Sequence, residues 1–184
     1  MKLLKLALIS FLVLFVVATL IGLMLPSTVV VSRAVDINRK DPGRIRQEIN
    51  TLSRWPNWIE GIQANGFKLT SADSIGKGAS GYVNGNNIQI IRATDTAIVS
   101  EWMGKGGFRQ EAVMNIITNP SHAVTTVQWS FTQHIKWYPW ERLGSMMNDK
   151  ILGPVMEKSL ANLKTLAENS ANETVQQGGE AIIP

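Results

Sequence analysis

Ala97-Ile98-Val99-Ser100-Glu101-Trp102-Met103, a glycine turn from Gly104 to Gly107, and then Phe108-Arg109-Gln110-Glu111-Ala112-Val113-Met114-Asn115-Ile116-Ile117-Thr118 decide the fold. Both runs are rich in β-branched and aromatic residues, and the turn between them is short enough for a hairpin. In the second run Phe108, Gln110, Ala112 and Met114 share one face, with Arg109 and Glu111 on the other. Asn119-Pro120-Ser121 then turns the chain into Ala123–Thr132, where Val127, Trp129 and Phe131 alternate with Gln128. Three successive strands joined by short turns predict antiparallel pairing.

The pattern extends upstream. Turn residues at Asn65-Gly66, Gly76 to Gly78 and Asn84-Gly85 bracket the short runs Gly81–Val83 and Asn87–Ala93. Earlier, Thr28–Val35 reads as a strand, and Asp41-Pro42 opens a short helix reaching about Thr51. Trp55-Pro56-Asn57-Trp58 follows, and its proline stops that helix from continuing. Downstream, Leu143, Met147, Ile151, Val155, Leu160, Leu163 and Leu166 mark a helix from about Leu143 to Ala167, bent at Gly153-Pro154. The tail 169–184 lacks a period and is expected to be unordered. The resulting order predicts an α+β domain: a curved antiparallel sheet whose one apolar face is covered by the long C-terminal helix, with a cavity between them.

Leu6–Leu25 is apolar apart from Ser10, Thr19 and Gly22, and carries no charge. It would span about 30 Å as a helix, the thickness of a hydrocarbon core. A cleaved signal peptide is the rival reading, but the run is long and ends without a small-x-small site. The expected division is therefore an N-terminal transmembrane anchor at 1–26, a soluble domain at 27–168 and the tail at 169–184. Lys2 and Lys5 place the N-terminus in the cytoplasm and the domain outside it, at a bacterial inner membrane. The 184-residue chain has a net charge of +4, and these two lysines account for half of it. No nucleic-acid partner is expected from so small a remainder. A mild basic cluster, Arg33, Arg39, Lys40, Arg44, Arg46 and Arg54, reads as a solvated surface or as a contact with anionic head groups.

The absence of cysteine excludes disulfides, thiol nucleophiles and thiolate metal sites. His122 and His134 stand too far apart on one strand to share a metal. Gly76-Lys77-Gly78-Ala79-Ser80-Gly81 fits G-x-G-x-x-G, yet strand and hairpin follow it where a dinucleotide site needs a helix. No cofactor and no metal are expected. Glu101, Arg109 and Glu111 are read as a solvated, cross-paired sheet face. Trp58, Trp102, Phe108, Met114, Trp129, Phe131, Met146 and Met147 fall on the sheet or the facing helix, as core or as the lining of an adaptable apolar pocket. Trp137, Tyr138 and Trp140 precede the helix, at a cavity mouth or a membrane interface.

Several of these residues carry a resemblance. Val35-Asp36-Ile37, Trp55-Pro56-Asn57-Trp58, Gly76-Lys77-Gly78, Thr125-Thr126-Val127-Gln128-Trp129 and Leu152-Gly153-Pro154 with Leu160-Ala161-Asn162-Leu163-Lys164 resemble, in order and spacing, the START-like (SRPBCC) superfamily. Its polyketide-cyclase-like branch is the most similar, over about 29–168. The resemblance implies a helix-grip fold with an apolar ligand cavity, and it implies no particular reaction. The expected function is a membrane-tethered binding domain for a lipid-like or other apolar small molecule. The alternatives are an enzyme of the cyclase or hydrolase kind using Glu111 or Glu101 as base, and an envelope scaffold whose cavity its own side chains fill.

Overall fold

The computed structural model describes residues 2–38, 41–62, 64–104, 107–119, 121 and 123–179, with backbone alone at 64 and 170–179. The expectations for Arg39, Lys40, Pro120, His122 and 180–184 lie outside the described residues. Helix α1 is Lys2–Met24; its apolar side chains face away from the rest of the protein.

Seven strands form one antiparallel sheet: β1 (Thr28–Ile37), β2 (Phe67–Leu69), β3 (Ser80–Val83), β4 (Asn86–Ala93), β5 (Ala97–Met103), β6 (Arg109–Asn119) and β7 (Val124–His134), ordered β1-β7-β6-β5-β4-β3-β2. Strands β2 to β7 form a meander, and β1 returns to close against β7, with Val31 opposite Phe131. Asn84 and Gly85 both have positive φ, 47° and 93°, which the tight β3–β4 turn requires. Gly76 and Gly78, at φ 69° and 96°, likewise make a turn, so the glycine motif ends in strand β3 and not in a helix.

Helix α2 (Gly43–Asn50) starts where Asp41 Oδ1 accepts the Gly43 amide at 2.9 Å. Beyond it the chain tightens into a 3₁₀ segment, Leu52–Asn57, which accommodates Pro56. Helix α3 (Pro139–Ser145) begins with its proline in the first turn, and helix α4 (Asn148–Gly179) follows. Residues 169–179, expected to be unordered, continue α4: the stretch from Ala171 to Gln177 has no proline or glycine to stop it.

The buried face of α4 is Met156, Ser159, Leu160, Leu163 and Ala167. The row expected inward, Leu143, Met147, Ile151, Val155 and Leu166, is exposed, whereas Leu160 and Leu163 are inside as expected. Met147, Ile151 and Val155 each precede an inward position by one residue, about 100° around the helix. On β7 the alternation holds: Thr125, Val127, Trp129 and Phe131 are buried, and Gln128 bonds to Ser32 Oγ on the other face.

Candidate functional site

Between sheet and α4 the core is organised by a closed circuit of aromatic rings. Trp55 contacts Trp58, Trp58 contacts Trp129, Trp129 contacts Phe131, Phe131 contacts Trp102, and Trp102 stacks on Trp55, with centroids 5.2 to 6.3 Å apart. The 3₁₀ segment supplies Trp55 and is followed directly by Trp58, while β5 supplies one ring and β7 two. Edge and tilted contacts of this kind add to the area each ring removes from water. Trp55 does not stand among the pocket candidates of the sequence, because a tryptophan beside proline gives no periodicity to mark it as core.

Three of the four indoles are satisfied. Trp55 Nε1 donates to Ile49 O at 2.9 Å, Trp58 Nε1 to Glu48 O at 3.4 Å, and Trp102 Nε1 to Ser100 Oγ at 3.1 Å. Trp129 Nε1 is buried without an acceptor among the described residues, although the residue is only 1% exposed. A buried donor left unpaired is costly and uncommon.

Trp129 lines a cleft of about 320 Å³ that opens beside the ring circuit. Its walls are Trp102, Gln110, Trp129 and Phe131 from the sheet, Ile59 to Ile62 from a loop, Val83, Asn84 and Asn86 from the β3–β4 hairpin, and Leu152, Val155 and Met156 from α4. A further 300 Å³ recess shares Asn86, Trp102, Gln110 and Leu152 with it and adds Phe108, Asn148 and Ile151. The polar groups at this end form a small network: Gln133 Oε1 accepts from Gln110 Nε2 at 3.3 Å and from Asn148 Nδ2 at 2.7 Å. The carboxylate at the rim, Glu60, pairs with Lys158 Nζ at 2.6 Å.

The sequence candidates separate accordingly. Trp102, Trp129 and Phe131 line the cleft. Trp58 and Met114 are packed core, and Phe108 sits half-exposed at the outer recess. Met146 and Met147, 63% and 51% exposed, lie outside it at the α3–α4 junction, where the helix axis breaks before the buried face of α4 begins. Ile59, Ile62 and Met156 were not singled out, and Gln110 only as sharing a strand face with Phe108 and Met114. The three-residue spacing of Ile59 and Ile62 after Trp58 was their one visible signal.

The outer face of the sheet holds the charged groups. Glu101 and Glu111 are register partners there, and Arg109 Nη1 pairs with Glu101 at 3.0 Å. With Thr132, His134, Lys136 and Glu141 they border a depression of about 530 Å³ at the end of the sheet, which Phe108 and Gln133 also line. The basic cluster is also paired: Arg44 and Arg54 with Glu48, Arg46 with Asp95, and Arg33 with Asp149 and Glu157. These side chains form an ion-paired surface, except that Glu48 is buried beneath its two arginines. Among the described residues no group of His, Asp and Glu is arranged to hold a metal ion.

The architecture is shared with solved structures. A protein from Nitrosospira multiformis aligns at TM-score 0.58 and 13% identity, covering 74% of this chain and 94% of that one. A START superfamily protein from Mycobacterium smegmatis aligns at 0.56 and 14%, covering 74% and 98%. Norcoclaurine synthase from Thalictrum flavum, in complex with dopamine and hydroxybenzaldehyde, aligns at 0.56 and 12%, covering 80% and 90%. No protein-family model matches the chain, and no curated protein matches it by sequence. The chain has the helix-grip, START-like fold: a curved seven-stranded antiparallel sheet against a long C-terminal helix, preceded by one apolar helix.

Proposed function

We propose that the chain is a membrane-tethered binding domain for a lipid-like or other apolar small molecule, held in the cleft between β5–β7 and α4. The observation that carries this reading is the cleft itself, about 320 Å³ with walls that are mostly apolar: Trp102, Trp129 and Phe131 from the sheet and Leu152 and Met156 from α4. A ligand with an apolar body removes its surface from water against these walls, and the few polar groups at the rim orient it. The neighbouring ring circuit gives rigid apolar walls, and Met156 and Leu152 on α4 give adaptable ones. Binding is favoured over cyclase or hydrolase chemistry because Glu101 and Glu111, the carboxylates that chemistry would need, stand on the opposite face.

The tether is α1. Its 23 residues extend about 34 Å as a helix, enough to cross a bilayer. Arg142 of α3 donates to the carbonyls of Gly22 and Leu25, capping the C-terminal end of α1. A domain side chain bonded to the helix end supports a retained anchor over a cleaved signal. Lys2 and Lys5 favour the domain outside the cytoplasm. Native mass spectrometry of the full-length protein released from membranes tests the proposal: a discrete apolar small molecule retained by the folded chain is expected, and uniformly ligand-free protein would contradict it.

A further inference from the structure

Helix α3 and the start of α4 carry an apolar surface that the domain does not use. Trp140, Leu143, Met147 and Ile151 follow one another at three- and four-residue steps, and each is 43% exposed or more. Trp137 extends the same end of the protein, and Tyr138 stacks on Trp140 at 5.0 Å and contacts Trp137 at 4.7 Å. Contiguous exposed apolar surface of this kind marks an interaction site.

Its position says what covers it. Gly22, the buried residue of α1, lies against Pro139 and Arg142, where a Cβ would stand 3.4 Å from Pro139 Cα. Arg142 is bonded to the carbonyls of Gly22 and Leu25. Helix α3 is thus fixed to the end of the spanning segment, at the depth where the chain leaves hydrocarbon for head groups. Tryptophan and tyrosine are the side chains favoured at that depth, and Lys136 and Lys150, both exposed, flank the stripe with positive charge.

We infer that the Trp137–Ile151 surface lies in the head-group layer of the same membrane that α1 crosses, as a second contact that fixes the domain's orientation. The inference rests on the tether proposed above. Its consequence concerns the cleft: Ile151 ends the stripe and also lines the outer recess with Leu152 and Trp102. The bilayer surface and the cleft entrance then adjoin, so an apolar ligand passes between them without crossing open water.

The chain contains no cysteine, so single nitroxide labels can be placed cleanly. Leu14→Cys, Asp73→Cys, Trp140→Cys and Met147→Cys, each labelled in the full chain in phosphatidylcholine/phosphatidylglycerol vesicles, are compared by collision with oxygen and with a water-soluble nickel chelate. At Trp140→Cys and Met147→Cys the oxygen-to-nickel ratio is expected to exceed that at the exposed Asp73→Cys several-fold and to fall below that at the mid-span Leu14→Cys in α1. Ratios equal to the Asp73→Cys control, with Leu14→Cys still lipid-like, would overturn the second contact and leave the tether standing. Labels shielded from both reagents would show a protein partner or a second copy and would also overturn it. A water-like Leu14→Cys label would remove the tether, and this inference with it.

Discussion

Gly153 leaves the space that Arg33 occupies: a Cβ at Gly153 would stand 2.3 Å from Arg33 Nη2. The guanidinium crosses α4 at that point, donating to Glu157 Oε1 at 2.6 Å and reaching Asp149 Oδ1 at 2.9 Å, one helical turn to either side. The two carboxylates raise the pKa of Arg33, so it remains a cation and clasps β1 to the first turns of α4. A glycine inside a helix otherwise costs about 1 kcal/mol relative to alanine.

This relationship predicts non-additivity. In an Arg33→Ala background, Gly153→Ala should stabilise the protein by about 1 kcal/mol, the full helix-propensity difference. With Arg33 present the same change should gain less or destabilise, because the guanidinium must leave its two carboxylates. Urea unfolding of the four proteins measures this, and equal effects in both backgrounds would contradict it.

The ring circuit predicts a hierarchy of core losses. Trp55 is fully buried and touches both Trp58 and Trp102, so Trp55→Ala should cost about 3–5 kcal/mol. Trp102 is only partly buried at the cleft, and Trp102→Ala should cost clearly less. Denaturant midpoints decide the order, and a greater loss at Trp102 would show that the circuit is not the core.

Strand pairing and much of the helix-grip pattern were legible because alternation and turn residues are local signals. Ala97–Met103 falls on its expected bounds, and Val127, Trp129 and Phe131 are inside as their spacing required. The α4 face was half misread. Leu143 and Met147 are as apolar as Leu160 and Leu163, and nothing in their spacing reveals that the first pair faces away from the core. Of the cleft, Trp102, Trp129 and Phe131 were visible as large residues on one sheet face. Glu60, Asn84 and Asn86 were not, since loop residues reach the cleft through tertiary packing alone.

Glu48 is buried and accepts from Arg54 Nη1 at 2.6 Å, with Arg44 Nε more distant at 3.5 Å. Arg54→Ala removes the nearer partner of a buried carboxylate and should destabilise by about 1–3 kcal/mol. Arg44→Ala should cost less. Thermal unfolding compares them, and a larger loss for Arg44→Ala would contradict the assignment.

Helix α1 should be separable from the rest of the protein. Its described contacts with the rest of the protein centre on Gly22 and Leu25, while the sheet, the ring circuit and α4 lie beyond residue 26. The full chain should stay with membranes through carbonate washing, and a chain starting at Ser27 should be recovered soluble with its β-sheet circular dichroism intact. A mature protein that begins near Ser27 in cells would show a cleaved signal instead.

The unpaired indole of Trp129 gives the most direct test of the cleft. A fluorescent polyene fatty acid titrated into the soluble domain should bind saturably at one site. Trp129→Phe keeps an aromatic ring and deletes a donor that lacks an acceptor, so stability should fall by less than about 2 kcal/mol. Affinity for the fatty acid should change about tenfold, some 1.4 kcal/mol, because the smaller ring reshapes the cleft wall. Absence of saturable binding by the wild-type domain, with its fold intact, would contradict the account and leave the helix-grip core filled by its own aromatic rings.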